Sequence, residues 1–327
     1  MAKSYHHFTQ DDRSQIYAYL KSGKSRSWIS KELGFHKSSI GREITKNSGQ
    51  KGYRFKQAHN MVVDRKKKAS TTMKKWTLQV RSWVENKIKC DYWNPEQISG
   101  RMKREFGFSV SHERIYEHVR QDKKNGGSLY KYLRHKGKKY NRSINNGKSG
   151  RGCIINRVDI DERPRIVEEK ARFGDLEFDT ILGEQHKGAI LSIVDRCTKY
   201  TWIFKLADRT ASSVNQAIEN MPAGLEAFLK TGTFDNRKEF SLHEKIAQLL
   251  NITTYFAKPY HSWERGLNEY TNGLVRQFFS KGTLFSRISH KAVEKVQKLL
   301  NTRPRISLDY KTPQEALPKP VASFLNC

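Results

Sequence analysis

Long apolar runs are missing from this 327-residue chain. No stretch approaches the roughly 18–20 residues needed to span a bilayer. The opening MAKSYHHFTQ has no apolar core of a signal peptide. The expectation is a soluble, intracellular protein with no membrane partner. Cysteine is also scarce. Cys90, Cys153, Cys197 and Cys327 are scattered, with no C-x-x-C pair, which argues against a disulfide framework or a zinc ribbon. Hydrophobic residues make up 36% of the chain, lean for one globular core. Several small helical modules plus one larger domain fit that supply better.

The largest deficit is in acids. There are 33 Asp and Glu against 62 Lys and Arg, a net charge of +29. Such a surface repels itself unless a polyanion covers it, and nucleic acid is the polyanion expected. Residues 1–170 carry net +23 and residues 171–327 only +6. An intensely basic half therefore precedes a milder one.

Residues 9–47 pattern as three short helices. Thr9 is a candidate N-cap, with Asp11 and Asp12 where the helix dipole favours anions. Ile16, Tyr19 and Leu20 form one apolar stripe, and Trp28, Ile29 and Leu33 another. Gly23 and Gly34 stop the first two helices. Two short helices joined by a glycine-containing turn describe a helix-turn-helix. Its second helix would turn His36, Lys37, Ser38, Ser39, Arg42 and Lys46 toward DNA. An ordinary three-helix bundle with a solvated face is the plain alternative. Residues 57–75 read as a basic linker. Residues 76–120 repeat the pattern as a second helix-turn-helix-like domain, with Asn94 and Pro95 opening one helix and Ser111 the next. Ile115, Tyr116 and Val119 would point inward, leaving His112, Arg114 and His118 for DNA. Residues 121–165 read as a second basic linker.

The grammar then changes. GDLEFDTILG alternates as a strand. Ala189–Val194 and Tyr200–Leu206, joined by DRCTK, give a hairpin. A helix interrupted near Pro222, a short strand TGTFD, a helix, a strand and two helices complete the order β-β-β-α-β-α-β-α-α. This is the strand grammar of an α/β RNase-H-like domain, expected over 166–327, so the whole is multidomain.

Three acids stand out in it. Asp179 sits inside the first strand, where Asp is disfavoured. Asp235 ends the fourth strand, although Asp-Asn on its own reads equally as a turn. Glu269 lies on a late helix, with 33 residues between it and Asp235. In this sheet the first and fourth strands are neighbours. Three such carboxylates suit two Mg²⁺ ions about 3.5–4 Å apart that clamp both oxygens of an in-line phosphoryl displacement. Mn²⁺ is the expected substitute. Arg265, Glu269, Asn272 and Arg276 share one helical face, which suits a site that also grips phosphates; a salt-bridged solvated face is the alternative.

These segments resemble the IS30 family of bacterial insertion-sequence transposases. The likeness runs through ISKELGFHKSSIGREI, FDTILGEQHKGAILSIVDR, TFDNRKEF, YFAKPYHSWERGLNEYTNGLVRQFF, NTRPR and YKTPQEAL. It implies a DDE triad at Asp179, Asp235 and Glu269. It also implies binding to terminal inverted repeats, nicking that frees a 3′-OH, and attack of that 3′-OH on target DNA without a covalent protein intermediate. A dimer or higher multimer holding two element ends in the bacterial cytoplasm, at the nucleoid, is part of the same implication. The family pattern usually places Gly where this chain has Phe178, Arg237 and Asp309. Arg237 is therefore a candidate modulator of the site, through strain or through a phosphate contact. The other readings are a DNA-binding repressor with a decayed nuclease domain and a hydrolase that never uses a 3′-OH.

Overall fold

The computed structural model describes residues 7–71, 75–136, 154–184, 188–258, 261 and 266–325. The chain divides into two compact units, residues 1–77 and 78–327.

The first unit holds α1 (Gln10–Lys21), α2 (Arg26–Glu32), α3 (Lys37–Asn47) and α4 (Phe55–Thr71). Thr9 and Asp12 form a reciprocal capping box: the Thr9 amide donates to the Asp12 carboxylate at 2.7 Å, and the Asp12 amide to Thr9 Oγ1 at 3.1 Å. Gly23 and Gly34 take φ of +72° and +70°, the left-handed conformation that ends a helix without a Cβ penalty. Ile16, Ile29, Ile40, Ile44, Tyr53 and Ala58 make the core. Within it Arg13 Nε donates to Glu43 at 2.8 Å, and the Tyr53 hydroxyl donates to the same carboxylate at 3.3 Å. This buried ion pair ties α1 to α3.

Two expectations fail in this unit. Trp28 does not point inward: it is 39% exposed, edge-on to Tyr19 and under the Lys24 ammonium. The stretch from residue 57 is no linker, because α4 runs from Phe55 to Thr71 and packs on α1 and α3. Ala58 is fully buried and Phe55 meets Tyr17 with ring centroids 5.9 Å apart. The run of lysines hides a short apolar stripe.

The second unit begins with α5 (Leu78–Lys89), α6 (Pro95–Phe106) and α7 (His112–Lys124). Asn94 forms a capping box with Gln97, and Gly107 ends α6 at φ +70°. These helices are not a separate domain, contrary to the boundary expected near residue 120. Arg101 of α6 makes a two-pronged bond to Glu315, both distances 2.6 Å. Gly100 lies against the Tyr310 ring, where a Cβ would sit 2.1 Å from a ring carbon. Asp309, in place of the expected glycine, holds φ +49° and accepts from Arg104 at 2.9 Å. Asp is among the few residues that tolerate that conformation. The expected linker 121–165 also carries structure. It includes the last turn of α7, a 3₁₀ turn at Leu129–Tyr132 and another at Ile160–Glu162. Residues 137–153 lie outside the described residues.

After the short α8 (Arg165–Glu169) comes one five-stranded sheet. Its strands are β1 (Asp175–Leu182), β2 (Ala189–Asp195), β3 (Thr201–Leu206), β4 (Thr231–Phe234) and β5 (Thr253–Phe256), in the order β3-β2-β1-β4-β5. β1, β2 and β3 pair antiparallel; β4 runs parallel to β1 and β5 parallel to β4. That order and polarity make the domain RNase-H-like. α9 (Ala211–Glu219), which stops before Pro222, α10 (His243–Leu250) and α13 (Lys319–Leu325) cover one face of the sheet. α11 (Gly266–Phe278) and α12 (His290–Asn301) cover the other. The β1 side chains divide accordingly, Leu176 and Phe178 toward the α9 side and Ile181 toward α11. Asp179 shares the α11 face by the period of two along a strand. Among the described residues no helix is long and apolar enough to cross a membrane, and Cys90 and Cys197 are free thiols.

Candidate active site and nucleic-acid interface

The parallel register of β1 on β4 pairs Asp175 with Thr231, Leu176 with Gly232 and Glu177 with Thr233. Continued by two residues, it sets Asp179 beside Asp235, the first residue past β4. The rings of Phe178 and Phe234 stack at 4.5 Å on the opposite face and hold this register. Phe178, where the resemblance expects glycine, is thus a fully buried core residue in an ordinary strand. Gly232 makes room for it, since a Cβ there would lie 3.1 Å from the Phe178 ring.

Asp179 and Asp235 are 7% and 5% exposed. Arg237 spans them, with Nε 2.9 Å from Asp235 Oδ2 and Nη1 3.5 Å from Asp179 Oδ1. Its backbone, φ −91° and ψ 149°, is extended, so no glycine is needed there and the residue is not strained. Burial pulls the Arg237 guanidinium down, but Asp235 and Asp179 outweigh it and hold the group above its ordinary range. Asp179 has further support. Thr180 N donates to its Oδ1 at 2.9 Å, and Asn272 Nδ2 donates to its Oδ2 at 2.7 Å. Asn272 Oδ1 in turn accepts from Ser192 Oγ at 2.9 Å, and Ser192 lies opposite Asp179 on β2. One turn earlier on α11, the buried Asn268 donates to the Phe178 carbonyl at 3.2 Å. Two amides at i and i+4 therefore clamp α11 across β1 at the acid.

Glu269 stands in the first turn of α11, next to Asn268, and is exposed. Among the described residues no three His, Cys, Asp or Glu side chains come together closely enough to hold a metal ion. The structure thus assembles two of the three expected acids and leaves the third at the rim.

The other expected contacts divide. On α3, His36, Lys37, Ser38, Arg42 and Lys46 are exposed and Ser39 is half-buried. His36 caps the helix through Nδ1, and Arg42 folds back on the Ser38 carbonyl at 3.2 Å. On α7, His112 and Arg114 are exposed, with Arg114 paired to Glu117. His118 is turned inward to Glu85 of α5 at 2.8 Å and is no DNA-facing residue here. Arg276 likewise faces the sheet: it donates to the Leu182 carbonyl at 2.6 Å, and burial lowers its pKa. Asn272 is spent on Asp179. The supposed phosphate-gripping face of α11 is therefore largely a sheet-facing one, because the apolar Leu274 and Val275 set the helix rotation. Arg265 lies outside the described residues.

Sequence reasoning missed Asn268, Ser192 and Glu239. Glu239, 2% exposed, accepts from Thr180 Oγ1 at 2.7 Å and Arg209 Nε at 2.8 Å. The usable signal was a pair of amides four apart on the apolar stripe of α11.

Residues 4–47 match a family model described as a helix-turn-helix domain. The chain is 44% identical over 310 residues to the transposase for insertion sequence element IS4351 of Bacteroides fragilis, covering 94% of each chain. It is 31% identical over 325 residues to transposase InsI for element IS30A of Escherichia coli K12, covering 97% of this chain and 84% of that one. Among solved structures, the catalytic core domain of BIV integrase matches 43% of this chain and 91% of its own at 19% identity and a TM-score of 0.35. With a helix-turn-helix at its start and an RNase-H-like sheet carrying the acid pair, the chain belongs to the IS30 family of insertion-sequence transposases.

Proposed function

We propose that this protein binds the terminal inverted repeats of its own element through the exposed face of α3. It then nicks an element end to free a 3′-OH and transfers that end into target DNA. The observation that carries the catalytic part is the pairing of two buried carboxylates, Asp179 and Asp235, on neighbouring parallel strands around one cationic group.

The donor set fits Mg²⁺. It is made of carboxylate oxygens, the ligands a hard cation takes, and it already converges on a positive charge. Asp179, Asp235 and Glu269 would hold two ions, with Mn²⁺ as substitute. Bound there, they supply Lewis-acid charge and an activated nucleophile for in-line displacement at phosphorus. The chain's own residues do the rest. Asn272 and Thr180 fix the Asp179 carboxylate, and Ser192 fixes Asn272. Arg237 offsets one of the pair's two negative charges. As a guanidinium it suits a phosphodiester oxygen once the acids release it. Glu269, exposed in the first turn of α11, is the third acid. Two element ends must be held together, so the working species is a dimer or larger.

The seating of Arg237 between the acids favours a second reading, a DNA-binding protein whose RNase-H-like domain no longer cuts. Purified wild-type protein separates the two, since only a transposase joins a free 3′-OH to target DNA. For the acid assignment, Asp235→Ala is expected to lower Mg²⁺-dependent nicking of inverted-repeat DNA by at least about a thousandfold. Nicking at the wild-type rate in that variant removes Asp235 from the chemistry.

A further inference from the structure

A cavity of about 770 Å³ opens between α7, the 3₁₀ turn that follows it and the first turns of α11. Its size lies within the roughly 300–1,000 Å³ range of small-ligand sites. Among the described residues its wall carries six Lys or Arg side chains against one acid, Glu96, and three tyrosines. Tyr270, 44% exposed, projects from α11 with the Arg134 guanidinium 5.5 Å and the Arg305 guanidinium 5.9 Å from its ring centre. Lys123 lies 4.5 Å over Tyr130 on the opposite wall. Arg134 packs closely on α11 at Gly273, where a Cβ would sit 2.2 Å from Arg134 Nη2.

The decisive feature is Arg305, which lines the cavity and is 5% exposed. Nη2 donates to the Leu300 carbonyl at 2.9 Å and Tyr270 is the side chain that supports its charge, while Nε and Nη1 make no hydrogen bond of ordinary geometry. The adjacent Arg303, 2% exposed, donates to Gln277 at 3.0 Å and leaves Nε and Nη2 without a partner. Burial holds both guanidiniums below their ordinary range. Two neighbouring buried cations with no carboxylate partner among the described residues are unfavourable unless an anion joins them. Both come from NTRPR, a motif the acid pair does not use.

We propose that this cavity takes one unstacked nucleotide of a DNA strand, with its phosphate on Arg305 and Arg134 and its base against Tyr270. Cations combined with exposed aromatic faces are what single-strand sites use. An acidic peptide would satisfy the arginines but would leave the tyrosine faces unused. Tyr270 and Thr271 line the cavity from the same helix whose Asn272 holds Asp179. The proposal rests on the reading that DNA is the substrate.

The test is fluorescence anisotropy of the full chain with a labelled single-stranded oligothymidylate, without metal, at several salt concentrations. Arg134→Gln and Tyr270→Ala are expected to bind about tenfold more weakly. The salt slope should fall by about 0.7 in Arg134→Gln, one phosphate contact on a single strand. Duplex binding through α3 should stay unchanged in both. Arg305→Met should weaken the strand equally while melting no lower than wild type, because it removes an unpaired buried charge. Wild-type strand affinity in Arg134→Gln and Tyr270→Ala overturns the proposal. So does competition by polyglutamate as strong as that by oligothymidylate. Because this assay involves no cleavage, its failure and the failure of the acid assignment are read separately.

Discussion

Arg237 is the residue on which the site's behaviour turns. A guanidinium between two buried carboxylates does electrostatically what a divalent cation would do there, at lower charge density. A bound cation would compete with it for the same oxygens. On that reading Arg237→Gly should bind Mn²⁺ more tightly than wild type, by at least roughly tenfold, about 1.4 kcal/mol. Isothermal titration reads this without any turnover. The same variant takes the shared guanidinium away from Asp179 and Asp235, so it should melt lower without metal and gain more on adding Mg²⁺ than wild type does. Nicking should be retained or raised. Unchanged Mn²⁺ affinity would mean that the guanidinium does not occupy the metal's place. The sequence flagged Arg237 as out of pattern but not what it does, because its partner Asp179 is 58 positions away. Asp179 itself was legible, since an acid inside an apolar strand demands a reason. Phe178 was not, because its justification is the space opposite Gly232 on another strand.

At the scale of elements, the sheet was readable because alternation and turn residues mark strands locally, and β1 to β4 fall within a residue or two of expectation, while β5 ends at Phe256, short of the apolar run expected to continue it. Helix rotation was harder to read. Asn272 and Arg276 were expected at DNA and instead face the sheet, since the choice of buried stripe on α11 depends on what β1 and β2 present. The mistaken boundary near residue 120 has a similar cause. The bonds from α6 to Glu315 and Asp309 join positions more than 200 apart in sequence. That junction yields a pH prediction. Hydrogen bonding from Arg101 holds the Glu315 carboxyl well below its ordinary 4.5, at about 2. A depressed carboxylate stabilises the fold above its unfolded pKa, and that contribution is lost as pH falls from about 4.5 toward 2. Glu315→Gln should lower the melting temperature at pH 6, and the gap to wild type should close as pH drops through that window. Solvent screening keeps the effect modest, since the carboxylate is 43% exposed. A gap that stays constant down to pH 2 would show that the pair contributes nothing through charge.

For the whole molecule, charge distribution announced the division of labour. The basic half contains the helix-turn-helix, and the sheet that carries the acids belongs to the milder half. Composition could not reveal that the second helical group belongs to the same compact unit as the RNase-H-like sheet, nor that buried arginines border a cavity beside α11. The central claim is that Asp179 and Asp235 act together as oxygen ligands in DNA strand cleavage. The most direct measurement is nicking of inverted-repeat DNA by Asp179→Cys in Mg²⁺ and in Mn²⁺. A thiolate is a poor ligand for Mg²⁺ and a better one for the softer Mn²⁺. Activity should be lost in Mg²⁺ and recovered in part in Mn²⁺, while duplex binding stays at the wild-type level. Full activity in Mg²⁺ would contradict the account.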